Sequence, residues 1–169
     1  MKFRSTIQRL NWRQILIHCI ASWFFIFAFQ TFGYLQNPKM IDLVINGNEK
    51  TKELLNNRSA EDVLNISLYP IIMGTFGLIL AFIISLLISK KHHWFWSNSL
   101  LAFLIIYVLR WFDVLGWPIL KIFFLTPGLV FKNISLYLIT NATILLLLGI
   151  FTFFNNRLQK FISNDRISE

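Results

Sequence analysis

A chain of 169 residues that is 56% hydrophobic and only 14% charged falls well short of the roughly 25% charged residues of an ordinary soluble domain. With a mean hydropathy of +0.59 and several apolar runs of about 18 residues or more, it belongs in a lipid bilayer. The net charge of +8 does not mark a nucleic-acid binder, because the basic residues flank hydrophobic segments instead of forming one basic stripe on a soluble fold.

Residues 1–14 are basic and mildly amphipathic. Phe3, Ile7 and Leu10 share a helical face, and Lys2, Arg4, Arg9 and Arg13 supply charge. The segment reads as the positive flank of a span and also suits an anionic lipid surface. Residues 15–35 form the first predicted span, which ends in FQTFGYLQ without a small-residue cleavage site and so reads as an uncleaved anchor. The lone Cys19 reads as a small buried hydrophobe; one cysteine excludes an intramolecular disulfide and any CxxC motif. His18 reads as a hydrogen-bonded interface residue.

Residues 36–67 are the largest polar segment and are expected outside the membrane. Asn37-Pro38 and Asn46-Gly47 are turn signals. Ser59 precedes Asp62 at capping-box-like spacing, which predicts a helix from Ala60. Tyr69-Pro70 predicts a joint before the second span, residues 68–88, where Gly74, Thr75 and Gly77 offer a small-residue face. Residues 89–94 form a cytoplasmic turn with Lys90 and Lys91 as anchors, and Trp94, Phe95 and Trp96 follow as an interfacial belt. The adjacent His92 and His93 would diverge by about 100° on a helix and lack Cys, Asp or Glu neighbours, so no metal is expected.

The third span, residues 95–115, overlaps the stretch Leu100–Trp117, around which the chain is organised. Ten apolar or aromatic residues precede Arg110 and Asp113, and no other predicted span holds a charge. Residues 116–133 are hydrophobic but broken by Pro118, Lys121, Thr126-Pro127-Gly128 and Lys132, and are expected as an interfacial or re-entrant outer segment. Residues 134–154 form the fourth span and residues 155–169 a polar cytoplasmic tail. The predicted fold is all-α: a polytopic membrane protein of four transmembrane helices, with a short helical outer loop and a broken segment after the third.

The predicted inner segments hold nine Lys and Arg against six in the longer outer ones. That places both termini in the cytoplasm. The Ile-, Phe-, Asn- and Lys-rich usage suggests a bacterial cytoplasmic membrane. At about 1.5 Å rise per residue, Arg110 lies roughly 22 Å above the inner boundary of its span. Gln30, Thr75 and Asn141 fall at the same depth. An outer polar layer of Arg110, Asp113, Asn141, Gln30 and Thr75 is therefore the candidate site, and the inner half reads as Leu, Ile and Phe. An ionisable group within a span is a functional candidate. The bland alternative is that Arg110 and Asp113 neutralise one another at i,i+3.

No nucleophile–base set, phosphate loop or cofactor motif is visible, and neither cofactor nor metal is expected. Four-span quinone reductases of the thiol-oxidising kind need paired outer cysteines, and lipoprotein signal peptidases need a second outer aspartate; this chain supplies neither in the required context. The expected function is non-enzymatic: an accessory or assembly subunit partnered by the bilayer and by a membrane protein or a second copy. The alternatives are an immunity-type protein acting against a pore-forming toxin, or a small channel or carrier built as a homo-oligomer.

Overall fold

The computed structural model describes residues 10–36, 60–112 and 130–163, with only the backbone of 60–67. Expectations for the amino-terminal basic residues before 10, most of the outer loop, the broken segment up to 129, Asp113 and the last six residues lie outside the described residues. The described part is all-helical, with five helices: α1 (Trp12–Tyr34), α2 (Ala60–Lys91), α3 (Ser97–Trp111), α4 (Ile134–Phe154) and α5 (Asn156–Ser163). Trp12–Tyr34, Leu68–Lys91 and Ile134–Phe154 are each long and apolar enough to cross a membrane.

Local chemistry sets several of the helix ends. Asn11, in extended backbone (φ −103°, ψ 100°), opens α1 by accepting from the Gln14 N–H with its side chain. Asn133 does the same for α4, accepting from Ser135 and Leu136. The α2–α3 turn is a Schellman motif. Trp94 N–H bonds Ser89 O at 2.8 Å, His93 N–H bonds Lys90 O at 3.2 Å, and His93 adopts the left-handed φ of 54° that glycine usually takes there.

The helices alternate in direction. At one end Gln14 of α1 meets Ser89 of α2 and Asn98 of α3, and Asn11 meets Ile162 of α5. At the other, Gly33 of α1 lies against Pro70 of α2, and Arg110 of α3 reaches Ile71. α1 is the hub: α2, α3 and α4 all pack on it, whereas α4 barely touches α2. Small residues make this possible. Ala21 and Ala28 are fully buried. A Cβ on Gly77 would stand 2.6 Å from Phe25 O, and one on Gly149 would stand 2.7 Å from the Phe25 ring. Phe25 is thus clamped between glycines of α2 and α4, and its ring meets Phe153 edge-on at 5.7 Å. Close backbone approach of this kind drives helix association where apolar burial alone gains nothing over lipid.

Two expectations are corrected, and a third is met in part. Of the third span, expected over residues 95–115, the described residues show α3, an apolar helix of 15 residues that rises about 22 Å against a hydrocarbon core of about 30 Å; residues 113–115 lie outside the described residues. The α3 ladder closes at Phe112, whose N–H bonds Val108 O. Next, α2 runs unbroken through Pro70, because losing one N–H from a helical ladder is tolerated where a neighbouring helix packs against it. Lastly, residues 156–163 of the expected polar tail form α5. Asn155 caps it by accepting from Arg157 and Leu158 N–H, and Ile162 is buried in the core beside Ile17, Trp94 and Phe153.

Candidate functional site

Arg110 sits in the last turn of α3 and crosses to α2. Its Nη2 donates to Ile71 O at 2.7 Å. Thr75 Oγ1 donates to the same carbonyl at 2.8 Å. Gly74 provides the room, since a Cβ there would come within 2.9 Å of Nη2 and 3.3 Å of Nη1. The guanidinium therefore lies on the bare backbone of α2, where one carbonyl satisfies both a cation and a hydroxyl. Nη1 is buried without a hydrogen-bond partner among the described residues. Asp113, the expected partner, lies outside the described residues.

Gln30 shares this level by register. Ile26, Leu78 and Ile106 form one core layer, and one turn further along each helix come Gln30, Gly74 and Arg110. Gln30 is half-buried, and no hydrogen bond joins it to Arg110 among the described residues. Asn141 is fully buried on α4, which packs on α1 and barely touches α2. The structure thus brings Arg110, Thr75 and Gly74 together, leaves Gln30 at their level on α1, and puts Asn141 on α4, a separate neighbour of α1.

The opposite end of the bundle holds a polar cluster where the sequence reading expected nearly all Leu, Ile and Phe, with His18 as a hydrogen-bonded interface residue. Gln14, fully buried, donates to Ser89 Oγ at 2.7 Å and accepts from Asn98 Nδ2 at 2.7 Å. Asn98 Oδ1 in turn accepts from Asn11 N–H at 3.3 Å. Ser89 and Ser99 hydroxyls bond at 2.8 Å, and Ser99 donates to Ser85 O. His18 Nδ1 pairs with Ser85 Oγ, and its ring lies edge-on to Phe153 at 5.4 Å.

The cluster also reaches α5. Asn11 Nδ2 donates to Ile162 O at 2.9 Å and Arg13 Nη1 to Phe161 O at 3.3 Å, while the Arg13 guanidinium stands 4.5 Å from the Phe161 ring centre. Those carbonyls lie in the last turn of α5, where no helical N–H remains to serve them.

One signal for this cluster was in the sequence. Asn11, Gln14, His18 and Ser22 recur at i+3 and i+4, one polar stripe on the first turns of α1, and Ser85 and Ser89 repeat it on α2. The inner boundaries drawn at Ile15 and Ile88 left Gln14 and Ser89 outside the spans, while Asn98 fell just inside the span that begins at Phe95. Chemically, the cluster is a set of donors and acceptors that bond one another across four elements, with the Arg13 cation at its α5 edge. Among the described residues no group of His, Cys, Asp and Glu is placed to hold a metal ion. His92 stacks on Trp94 at 4.8 Å between ring centres. In comparisons with known proteins, no family model matches this chain, and neither a curated protein nor a solved structure matches it.

Proposed function

We propose that the protein is a non-enzymatic accessory or assembly subunit of the bacterial cytoplasmic membrane, crossing it four times with both termini in the cytoplasm. The observation that carries this reading is where the polar side chains go. Gln14, His18, Ser85, Ser89, Asn98 and Ser99 bond one another and hold α1, α2 and α3 in register. That use suits a scaffold, since groups committed to internal bonds are not presented to a substrate. The outer faces of α2, α3 and α4 are apolar, with Phe76, Ile83, Leu104, Val108, Leu147 and Phe151 exposed. Such faces suit lipid and the helices of a membrane partner. The orientation is supported by charge: Arg13, Lys90, Lys91, Arg157 and Lys160 all gather at the α5 end of the bundle.

The test is co-purification. The tagged full-length chain, extracted in mild detergent from its native membrane, is expected to bring down a stoichiometric membrane protein. Recovery only as a monodisperse monomer, at native expression level and across several mild detergents, overturns the accessory role. Cysteines placed at Lys91 and Arg157 in a Cys19→Ser background are expected to resist an impermeant maleimide added from outside the cell. Labelling of either reverses the orientation.

A further inference from the structure

The junction of α4 and α5 carries an open recess of about 390 Å3. It is lined by Ile150, Phe151 and Phe154 of α4 and by Asn155, Asn156 and Arg157 at the elbow. The three α4 side chains are exposed, continuous with the apolar outer face of that helix. Arg157 and Lys160 are both exposed and stand three residues apart on α5, so they are neighbours on its surface. No Asp or Glu occurs anywhere between residues 130 and 163. The next acids, Asp165 and Glu169, lie outside the described residues. The buried face of α5, with Ile162 in the core and Leu158 packed against it, holds these cations across the end of the bundle, where the apolar surface of α4 stops.

We propose that this elbow binds an anionic membrane phospholipid, with an acyl chain against Ile150, Phe151 and Phe154 and the phosphate at Arg157 with Lys160. Two features select the occupant. Half of the lining is exposed aromatic and aliphatic surface, which inorganic phosphate gains nothing by covering and an acyl chain does. The planar guanidinium of Arg157 matches two oxygens of a phosphodiester, and Lys160 adds a second charge. The start of α5 contributes little itself, because Asn155 Oδ1 already accepts from Arg157 and Leu158 N–H. This inference concerns the lipid contact of one leaflet and stands apart from the identity of any protein partner.

Native mass spectrometry of the purified full-length protein, incubated with equimolar phosphatidylglycerol and phosphatidylcholine, tests it. The wild type is expected to retain phosphatidylglycerol preferentially. Arg157→Gln with Lys160→Gln is expected to lower that retention about thirtyfold, since each basic group near an anionic surface contributes on the order of 1 kcal/mol. Lys90→Gln with Lys91→Gln removes the same charge from the same end of the bundle and is expected to leave retention within about twofold. All four side chains are exposed, and far-UV circular dichroism verifies that the variants fold. Equal loss in both double variants reduces the effect to general charge and overturns the site. Absence of any preference for phosphatidylglycerol, or its displacement by millimolar inorganic phosphate, also overturns it. Truncation after Ser163 that by itself raises retention several-fold shows the elbow occupied by the chain's own acidic tail, which overturns the lipid assignment.

Discussion

Replacing Gln14 with leucine tests the inner polar cluster most directly. The side chain is fully buried and makes two bonds of 2.7 Å, donating to Ser89 and accepting from Asn98. Ser89 keeps Ser99 at 2.8 Å, so its loss is small, about 0.6 kcal/mol on the scale of interhelical bonds in membrane proteins. Asn98 fares worse. Its Nδ2 is left buried and unbonded, which costs about 1–3 kcal/mol. Gln14→Leu is therefore expected to destabilise by about 2 kcal/mol, and Asn98→Leu by a similar amount, because it strands Gln14 Oε1 and the Asn11 N–H. The double variant strands neither member of the pair. It is expected to cost about 1–2 kcal/mol less than the sum of the singles. Reversible unfolding in mixed micelles, with rising dodecyl sulfate followed by tryptophan fluorescence, measures all three; Trp94 is buried beside His18 and reports on this end. Additivity of the two substitutions within about 0.5 kcal/mol would refute the reasoning.

The glycines separate by what a methyl group would meet. Gly77→Ala drives a Cβ to 2.6 Å from the Phe25 carbonyl, a backbone atom that moves only with its helix, and is expected to cost about 1–3 kcal/mol. Gly74→Ala meets only the Arg110 guanidinium at 2.9 Å, the free end of a flexible side chain, and is expected to cost under about 1 kcal/mol; the same unfolding assay ranks the two, and the reverse order would overturn the placement of Arg110. His93→Gly relieves the left-handed backbone at φ 54° and is expected to stabilise by about 0.5–1 kcal/mol; a loss of stability would mean that the His93 side chain contributes more than its backbone strain costs. Asn155→Ala removes the acceptor for two N–H groups of α5 and is expected to cost about 1 kcal/mol. Amide exchange should rise in α5 ahead of α4, and uniform exchange across both helices would remove Asn155 as the cap.

Sequence alone determined the all-helical class, the three long apolar helices among the four spans it predicted, and the presence of Arg110 and Asp113 in the remaining apolar stretch. These depend on composition and run length, which a bilayer imposes on every spanning segment regardless of its neighbours. A helix running from Ala60 into the second span was also legible, from turn and capping residues. What a run of Leu, Ile and Phe cannot express is which way each face turns, because lipid and a neighbouring helix are equally apolar. Only the tertiary structure decided that α1, and not the charged third segment, is the hub; that decision rests on Ala21 and Ala28 of α1 and on Gly77 and Gly149 clamping Phe25. The same ambiguity hid the two sites. Gln30 shares a level with Arg110, yet Asn141 belongs to α4, which barely touches α2. At the inner end, Gln14, Ser89 and Asn98 are polar residues of the kind that mark a membrane boundary when read one at a time. They become interior only when four helix ends converge and leave each of them another polar group, instead of water, to bond.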